Sequence, residues 1–260
     1  DLESHLIRYF HADGQYQVQN RNHGLTEADY YDRDKYRQRF QELFDELLKE
    51  GVLTRTIPDL ENSDLFKFSP FKSLNSDQAV AVDAIVNLLL RDLENDEDAS
   101  IVVQGEPGTG KTIVAVYLVK LLIDIAKSRP GEAVDKDTMF SDFFDGNQRE
   151  LLSGLRLGLV IPQQSLRETL KRVFAQTPGL TKSMIVTPFQ VGNSPEPYDV
   201  LIVDEAHRLS QRARMPGPAL NKGFRDINIS LFGEDLDQYT QLDWIRARSS
   251  HQILMLDSLQ

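Results

Sequence analysis

The sequence predicts an α/β fold in which a parallel β-sheet is sandwiched between helices. Short apolar runs, each of a length suited to one buried strand, alternate with helical patterns along residues 73–260. A glycine-rich loop follows the first apolar run and precedes a helical run, which is an order typical of this fold class. The predicted strands are residues 100–104, 157–161, 184–186, 200–203 and 253–256, and the predicted helices are residues 77–93, 112–126 and 163–174. The stretches 128–154 and 209–243 are too long for simple connections and are interpreted as insertions.

A small, mainly helical segment is expected before this domain. Apolar and aromatic side chains recur every three or four residues from residue 30 to 51, which predicts one amphipathic helix with Gly51 as its C-cap. Residues 52–74 are interpreted as a connector, because they contain prolines and several polar positions. We therefore predict a boundary near residue 72, with an N-terminal segment before it and the main domain at 73–260.

Composition excludes several classes of protein. With 40% hydrophobic and 27% charged residues, the chain differs from disordered and fibrous sequences. No run approaches the roughly 20 apolar residues that span a bilayer, and the opening lacks the layout of a signal peptide, so we expect a cytoplasmic location and no membrane partner. The absence of cysteine excludes disulfides and thiolate metal sites.

Two basic tracts interrupt an otherwise acidic chain with a net charge of -11. Residues 155–182 carry five basic residues against Glu168 alone, and residues 206–225 carry five basic residues and no acid. The overall charge argues against a protein whose whole surface binds nucleic acid. The tracts are therefore either solvated surfaces balanced by acids elsewhere in the fold or local nucleic-acid contacts.

The glycine-rich loop at residues 105–112 reads GEPGTGKT and matches the pattern G-x-x-x-x-G-K-[ST]. Its glycines allow backbone N–H groups to turn toward phosphates, Lys111 can reach the β- and γ-phosphates, and Thr112 offers a hydroxyl to Mg²⁺. The loop therefore predicts a nucleoside triphosphate and magnesium as ligands. The predicted cofactor-binding residues of the loop are Gly105, Glu106, Pro107, Gly108, Thr109, Gly110, Lys111 and Thr112.

A second motif, VLIVDEAHR at residues 200–208, places two acids directly after an apolar strand. Ligands of open parallel sheets bind at such strand ends, so Asp204 is predicted to hold the Mg²⁺ and Glu205 to deprotonate the attacking water. Alternatively, the two acids cap the helix that follows. A GTPase is not expected, because the only Asn-Lys pair, at residues 221–222, is not followed by the x-Asp of a guanine-binding motif.

The order of these motifs resembles that of superfamily 1 helicases, and most closely the Schlafen group 3-like DNA/RNA helicase domain. The resemblance extends over residues 72–260 and includes four weaker elements besides the loop and the DEAH motif. These are LNSDQAVAVDAI at 74–85, VIPQQSLRETL at 160–170, VTPFQV at 186–191 and ILMLDSLQ at 253–260. The resemblance to this family implies a RecA-like domain, ATP as the nucleotide and single-stranded DNA or RNA as a partner.

The resemblance also assigns roles outside the two main motifs. Gln78 matches the residue that reads adenine, although Asn75 and Gln78 also fit a helix capping box. Gln260 matches the glutamine that senses the γ-phosphate, and His207 matches the position that couples ATP hydrolysis to the nucleic-acid groove. Residues 162–165 and the pair 187–188 match backbone-contacting positions but also fit ordinary loops.

Two functions remain open at this point. The first is an ATP-hydrolysing motor domain of a helicase or translocase, and the second is an ATP-dependent switch that regulates an attached nuclease without translocation. Such helicases use a second RecA-like domain whose arginines stabilise the transition state, and the 260 residues hold one set of motifs. We therefore expect this chain alone to bind ATP weakly and to hydrolyse it poorly.

The N-terminal residues 2–24 resemble the closing portion of GIY-YIG nucleases. Glu3 would match the metal-binding glutamate of that family and Asn20 its closing asparagine. The tyrosine-bearing strands of the family do not occur in this sequence, so a complete nuclease site is not expected. Alternatively, the segment is an amphipathic helix with an exposed glutamate, and His5 and His11 are expected at the surface.

Overall fold

The computed structural model describes residues 2–16, 18, 33–71, 74–129, 140–144, 147–212 and 217–257. Its helices are α1 (Leu2–Asp13), α2 (Arg33–Lys49), α3 (Ile57–Glu61), α4 (Asp64–Lys67), α5 (Ser76–Glu94), α6 (Lys111–Lys127), α7 (Gln148–Leu152), α8 (Gln164–Gln176), α9 (Pro188–Gly192), α10 (Pro218–Phe232) and α11 (Gln241–Ala247). Its strands are β1 (Ala99–Gly105), β2 (Leu157–Val160), β3 (Ile185–Val186), β4 (Tyr198–Val203) and β5 (Ser249–Asp257). Short 3₁₀ turns lie at Ser141–Phe144, Lys182–Met184 and Ala206–Arg208.

The five strands form one sheet in the order β1-β5-β4-β2-β3, and every pair is parallel. The last strand, β5, is inserted between the first strand and β4. Its register places Asp257 opposite Gly105 of β1 and Leu254 opposite Val203 of β4. Because all strands run in one direction, the loops that follow β1, β4 and β5 meet at the same edge of the sheet. The prediction of a parallel α/β sheet is confirmed.

Helices cover both faces of this sheet. On β4 and β5, alternate side chains belong to two different cores, because successive residues of a strand point to opposite faces. Val200 and Ile253 pack in the larger core with α5, α6 and α8, whereas Leu201 and Leu254 pack in a smaller core with α11. From Val114 to Ile125, α6 is buried on every side, which explains its nearly continuous apolar sequence. The helix that begins at the glycine-rich loop is thereby held rigidly.

The connector predicted at residues 52–74 is wrong in part, because two short helices, α3 and α4, lie within it. Thr56 caps α3 and Ser63 caps α4, each accepting a hydrogen bond from the backbone N–H three residues ahead. Pro58 falls in the first turn of α3, where its missing N–H costs no helical hydrogen bond. Residues 72 and 73, where we predict the domain boundary, lie outside the described residues.

The long stretches interpreted as insertions contain regular structure among their described residues. The first holds the 3₁₀ turn Ser141–Phe144 and α7, and the second holds α10 and the start of α11. Phe224 of α10 and Trp244 of α11 are fully buried against each other, with ring centroids 4.2 Å apart. The second stretch therefore contributes α10 to a small core that it shares with α11 and with Phe189 of α9.

The N-terminal helices pack on the α8 side of the domain. Tyr9 of α1 and Phe44 of α2 lie in a separate apolar cluster, and Asp64 of α4 forms an ion pair with Arg172 of α8 at 2.6 Å. The expectation that His11 lies at the surface is wrong, because its side chain is only 1% exposed. Its Nε2 lies 3.2 Å from the Thr177 hydroxyl oxygen at the end of α8. Among the described helices, none is both long and apolar enough to cross a bilayer.

Acidification is expected to destabilise the fold through His11. Burial lowers the pKa of His11 from its ordinary 6.5 to about 4. Between these values the unfolded chain binds a proton that the folded chain does not bind. The free energy of unfolding should therefore fall by about 1.4 kcal/mol for each pH unit below 6.5, until the pH reaches the folded pKa.

The variant His11→Gln should lose this component of the pH dependence, although it should be less stable than the wild type at neutral pH. Urea unfolding of both proteins between neutral pH and about pH 4 measures the difference. Carboxylates titrate in both proteins, so the difference between the two curves isolates His11. Parallel curves would contradict the prediction.

Candidate nucleotide site

The glycine-rich loop between β1 and α6 curls back on itself. Gly108 and Gly110 have φ angles of 83° and 84°, which side chains other than glycine rarely adopt. The Thr109 hydroxyl donates to the Glu106 carbonyl at 2.9 Å and closes the turn. Because α6 begins at Lys111, its first N–H groups and positive dipole end lie at this loop. This geometry suits the binding of an anion, which stays a prediction.

Lys111 is held by three oxygen atoms of its own chain. Its Nζ donates to the carbonyls of Gly105 and Glu106, both at 2.9 Å, and forms an ion pair with the Asp257 carboxylate. The Lys111 side chain is only 10% exposed. The ammonium is thus fixed beside the glycine-rich loop, within the concave edge where strands β1 and β5 end.

Thr112 and Asp204 meet across the sheet edge, although they are far apart in sequence. The Thr112 hydroxyl donates to Asp204 Oδ2 at 2.7 Å, and Asp204 is 1% exposed. Burial raises the pKa of Asp204, and the hydrogen bond from Thr112 opposes that shift. A hydroxyl oxygen and a carboxylate oxygen this close suit neighbouring positions of an octahedral Mg²⁺, whose ligands lie about 2.1 Å from the metal. The pair therefore fits a magnesium site.

Glu205 follows Asp204 with strained backbone angles. Its φ of 51° and ψ of 45° lie in the left-handed region, which costs a residue with a side chain on the order of 1–3 kcal/mol. Its side chain makes no capping hydrogen bond to the turn that follows, so Glu205 does not act as a side-chain cap. Oε2 instead accepts a hydrogen bond from Arg208 Nε at 2.5 Å, and His207 Nε2 lies 3.4 Å from it. The carboxylate is 24% exposed and can reach solvent.

Gln78 forms the capping box that the sequence offers as one alternative. Its N–H donates to Asn75 Oδ1 at 2.8 Å, and its Oε1 accepts the Asn75 N–H at 3.1 Å. The remaining side-chain amide donates to the Thr109 carbonyl at 2.8 Å, which ties α5 to the glycine-rich loop. A cavity of about 260 Å³ lies beside these residues, with Val103, Val114 and Met255 among its apolar walls. Adenine recognition by Gln78 stays a prediction.

Several predicted positions are occupied by local structure or lie outside the described residues. The Thr187 hydroxyl caps α9 by accepting the Gln190 N–H at 3.1 Å, and Gln163 donates to Ser165 at 3.2 Å at the exposed start of α8. Gln260 and Asn20 lie outside the described residues, as does the side chain of Glu3. Of the residues predicted to act in catalysis or metal binding, Lys111, Thr112, Asp204 and Glu205 lie together at this site.

Four side chains of the two basic tracts form ion pairs with acids of the fold. In the first tract, Lys171 pairs with Glu168 and Arg172 with Asp64; in the second, Arg208 pairs with Glu205 and Arg212 with Asp235 and Asp237. For those four residues, the ion pairs favour the interpretation that the tracts are solvated surfaces balanced by acids elsewhere in the fold. Lys222 and Arg225 on α10 are exposed and lack such a partner among the described residues. Together with Lys182 of the first tract, which is likewise exposed and forms no ion pair in the described part of the chain, they stay candidates for contacts with a polyanion.

Sequence reasoning did not single out Asp257. It ends β5 as Asp204 follows β4, and the register between β1 and β5 places it opposite Gly105. The sequence does show an acid at the end of an apolar run. Neither the partner of that acid nor the insertion of β5 beside β1 could be deduced from the local sequence pattern, however. The predicted coupling residue His207 lies between Glu205 and Asp257, with its Nε2 4.0 Å from Asp257 Oδ2.

The parallel sheet, the glycine-rich loop and the acids at the strand ends define a RecA-like α/β domain with P-loop character. A family model described as Schlafen group 3, DNA/RNA helicase domain, matches residues 98–260. The chain belongs to this family, and the resemblance stated from the motifs is confirmed. It is thus a helicase-like domain of a nucleic-acid-binding family. No curated protein and no solved structure matched the sequence.

Proposed function

We propose that this chain is an ATP-binding and ATP-hydrolysing motor domain of a DNA or RNA helicase or translocase. The observation that carries the proposal is the hydrogen bond between Thr112 and Asp204. It joins the glycine-rich loop to the acidic end of β4, so that a phosphate-binding loop, a pair of metal-binding oxygens and a partly exposed carboxylate occupy one edge of the sheet.

Each side chain has a distinct role in this proposal. Lys111 binds the β- and γ-phosphates, and Thr112 with Asp204 would hold Mg²⁺. Bound magnesium neutralises negative charge on the phosphate oxygens. Glu205 orients the attacking water and accepts its proton, which a carboxylate with access to solvent can do. Gln260 would respond to the γ-phosphate, and Gln78 would contact adenine from its position beside the loop.

Single-stranded DNA or RNA and a second RecA-like domain are the partners in this proposal. Arginines of the second domain would stabilise charge in the transition state, and such arginines are worth about 10³–10⁵ in rate. Movement between the two domains would shift the strand. A cytoplasmic location also belongs to the proposal, and the absence of cysteine is consistent with a reducing compartment.

The proposal is tested by ATP hydrolysis in the presence and absence of polynucleotides. A low intrinsic rate is expected, so single-turnover hydrolysis with the protein in excess is the suitable measurement. When the second RecA-like domain is present, single-stranded DNA or RNA should raise the rate by about fivefold or more, which corresponds to an activation free energy lower by about 1 kcal/mol. If the protein binds Mg–ATP but no polynucleotide changes its rate of hydrolysis, the regulatory switch is favoured. If it does not bind Mg–ATP, both functions are contradicted.

A further inference from the structure

Asp257 lies where its carboxylate can hold the Lys111 ammonium and so compete with a phosphate for it. The Asp257 carboxylate ends β5 directly opposite Gly105, the first residue of the glycine-rich loop. Its Oδ1 forms an ion pair with Lys111 Nζ, and the two side chains are only 9% and 10% exposed. The pair is therefore shielded from water and belongs to the phosphate-binding edge.

An ammonium group has three protons to donate. Lys111 directs its Nζ to the Gly105 carbonyl, the Glu106 carbonyl and the Asp257 carboxylate. A phosphate that binds Lys111 must replace one of these acceptors or share its proton. The carboxylate is the only anion of the three, and the hydrogen bond from Lys111 lowers the pKa of Asp257, so it is ionised at neutral pH. A phosphate and Asp257 therefore compete for the same positive charge.

The neighbouring acids do not form a separate metal site around this carboxylate. Glu205, His207 and Asp257 have potential ligand atoms within 4.8 Å of one another. The Lys111 ammonium already contacts the Asp257 carboxylate, and Arg208 donates to Glu205. Two protein cations thus supply the positive charge that a metal would supply.

We propose that Asp257 is a positioning residue that holds Lys111 and is exchanged for the β- and γ-phosphates when ATP binds. This inference rests on the proposed nucleotide-binding function of the same site. After the exchange, the charge of the Arg208 guanidinium still acts on the Asp257 carboxylate. His207 Nε2 lies 4.0 Å from Asp257 Oδ2. Both residues belong to the turn that follows Glu205.

The variant Asp257→Asn tests the exchange, because asparagine keeps the shape and a hydrogen-bond acceptor but loses the charge. The non-hydrolysable analogue AMP-PNP with Mg²⁺ should bind the variant about fivefold more tightly than the wild type, because Lys111 no longer has to leave an anionic partner in order to bind a phosphate. AMP lacks the β- and γ-phosphates, so its affinity should not change. Isothermal titration calorimetry measures both constants.

Asp237→Asn is the matched control, because it removes the same charge from a carboxylate that is 94% exposed and pairs with Arg212. This variant should bind AMP-PNP as the wild type does. Equal tightening in both variants, or unchanged or weaker binding by a folded Asp257→Asn, would overturn the exchange. If the wild type binds no AMP-PNP, the proposed function itself is wrong. If the wild type binds AMP-PNP and the Asp257→Asn variant binds it with the same affinity, only the role of Asp257 is overturned.

A measurement on the wild type covers the case in which Asp257→Asn does not fold. The carboxyl ¹³C resonance of Asp257, identified by its loss in Asp257→Glu, should shift when Mg–AMP-PNP binds and should stay in place with AMP. Binding of AMP-PNP without a shift of this resonance would overturn the proposal.

Discussion

Replacement of Glu205 by glutamine is expected to slow ATP hydrolysis by about 10²–10⁴-fold while Mg–ATP still binds. Glutamine has nearly the same shape, so the backbone at φ 51° and the contacts of the turn should persist. It cannot accept a proton from water, however, and the proposed base is lost. Single-turnover hydrolysis gives the rate, and binding of AMP-PNP shows that the site still accepts nucleotide.

Glu168→Gln provides the matched control for this variant. Glu168 and Glu205 each form an ion pair with a basic residue three positions away, namely Lys171 and Arg208. Both substitutions therefore remove one charge and one local ion pair, but Glu168 lies on α8, away from the site. Its variant should hydrolyse ATP at the wild-type rate. A Glu205→Gln rate within a few-fold of the wild type would show that another group takes the proton.

Replacement of Lys111 by alanine is expected to weaken Mg–ATP binding by about 10–100-fold and to lower the hydrolysis rate by a further 10²–10³-fold. In the proposed function, the side chain supplies a charge-assisted hydrogen bond to phosphate in the bound state and greater stabilisation as charge develops in the transition state. The substitution also deprives Asp257 of its partner and leaves a poorly exposed carboxylate behind. Calorimetry and thermal unfolding should therefore be measured together.

Two further variants separate the loss of binding from a loss of stability. Lys127→Ala removes a lysine from the far end of the same helix, where its Nζ donates to the Gly179 carbonyl at 3.3 Å, and should leave nucleotide binding unchanged. Lys111→Ala combined with Asp257→Asn should recover thermal stability without recovering affinity. Restored affinity in the double variant would contradict a direct contact between Lys111 and phosphate.

Most of the candidate site is encoded in two short segments. The apolar strand, glycine-rich loop and helix at residues 100–126 are read correctly from sequence, because each local preference favours the same element. The acids after β4 are also read correctly, since carboxyl ends of parallel strands meet at one edge. The capping box of Asn75 and Gln78 follows from residue types alone.

Features that depend on distant residues could not be read in the same way. The burial of His11 depends on Thr177, which lies 166 residues along the chain. Two prolines favour a connector at residues 52–74, yet Thr56 and Ser63 cap helices there. A basic residue has the same appearance in sequence whether or not an acid lies opposite it, so the pairing of Arg172 with Asp64 was not predictable.

The sequence by itself determined the fold class, the family resemblance and the identity of the loop and acid residues, because periodicity and short motifs act over a few neighbouring positions. Only the tertiary structure decided that β5 lies between β1 and β4, and hence that Asp257 faces Lys111. Strand order is a choice among long-range pairings of similar apolar runs, and a local pattern carries no information about which run lies beside which. The partner of Lys111 is therefore a property of the assembled sheet.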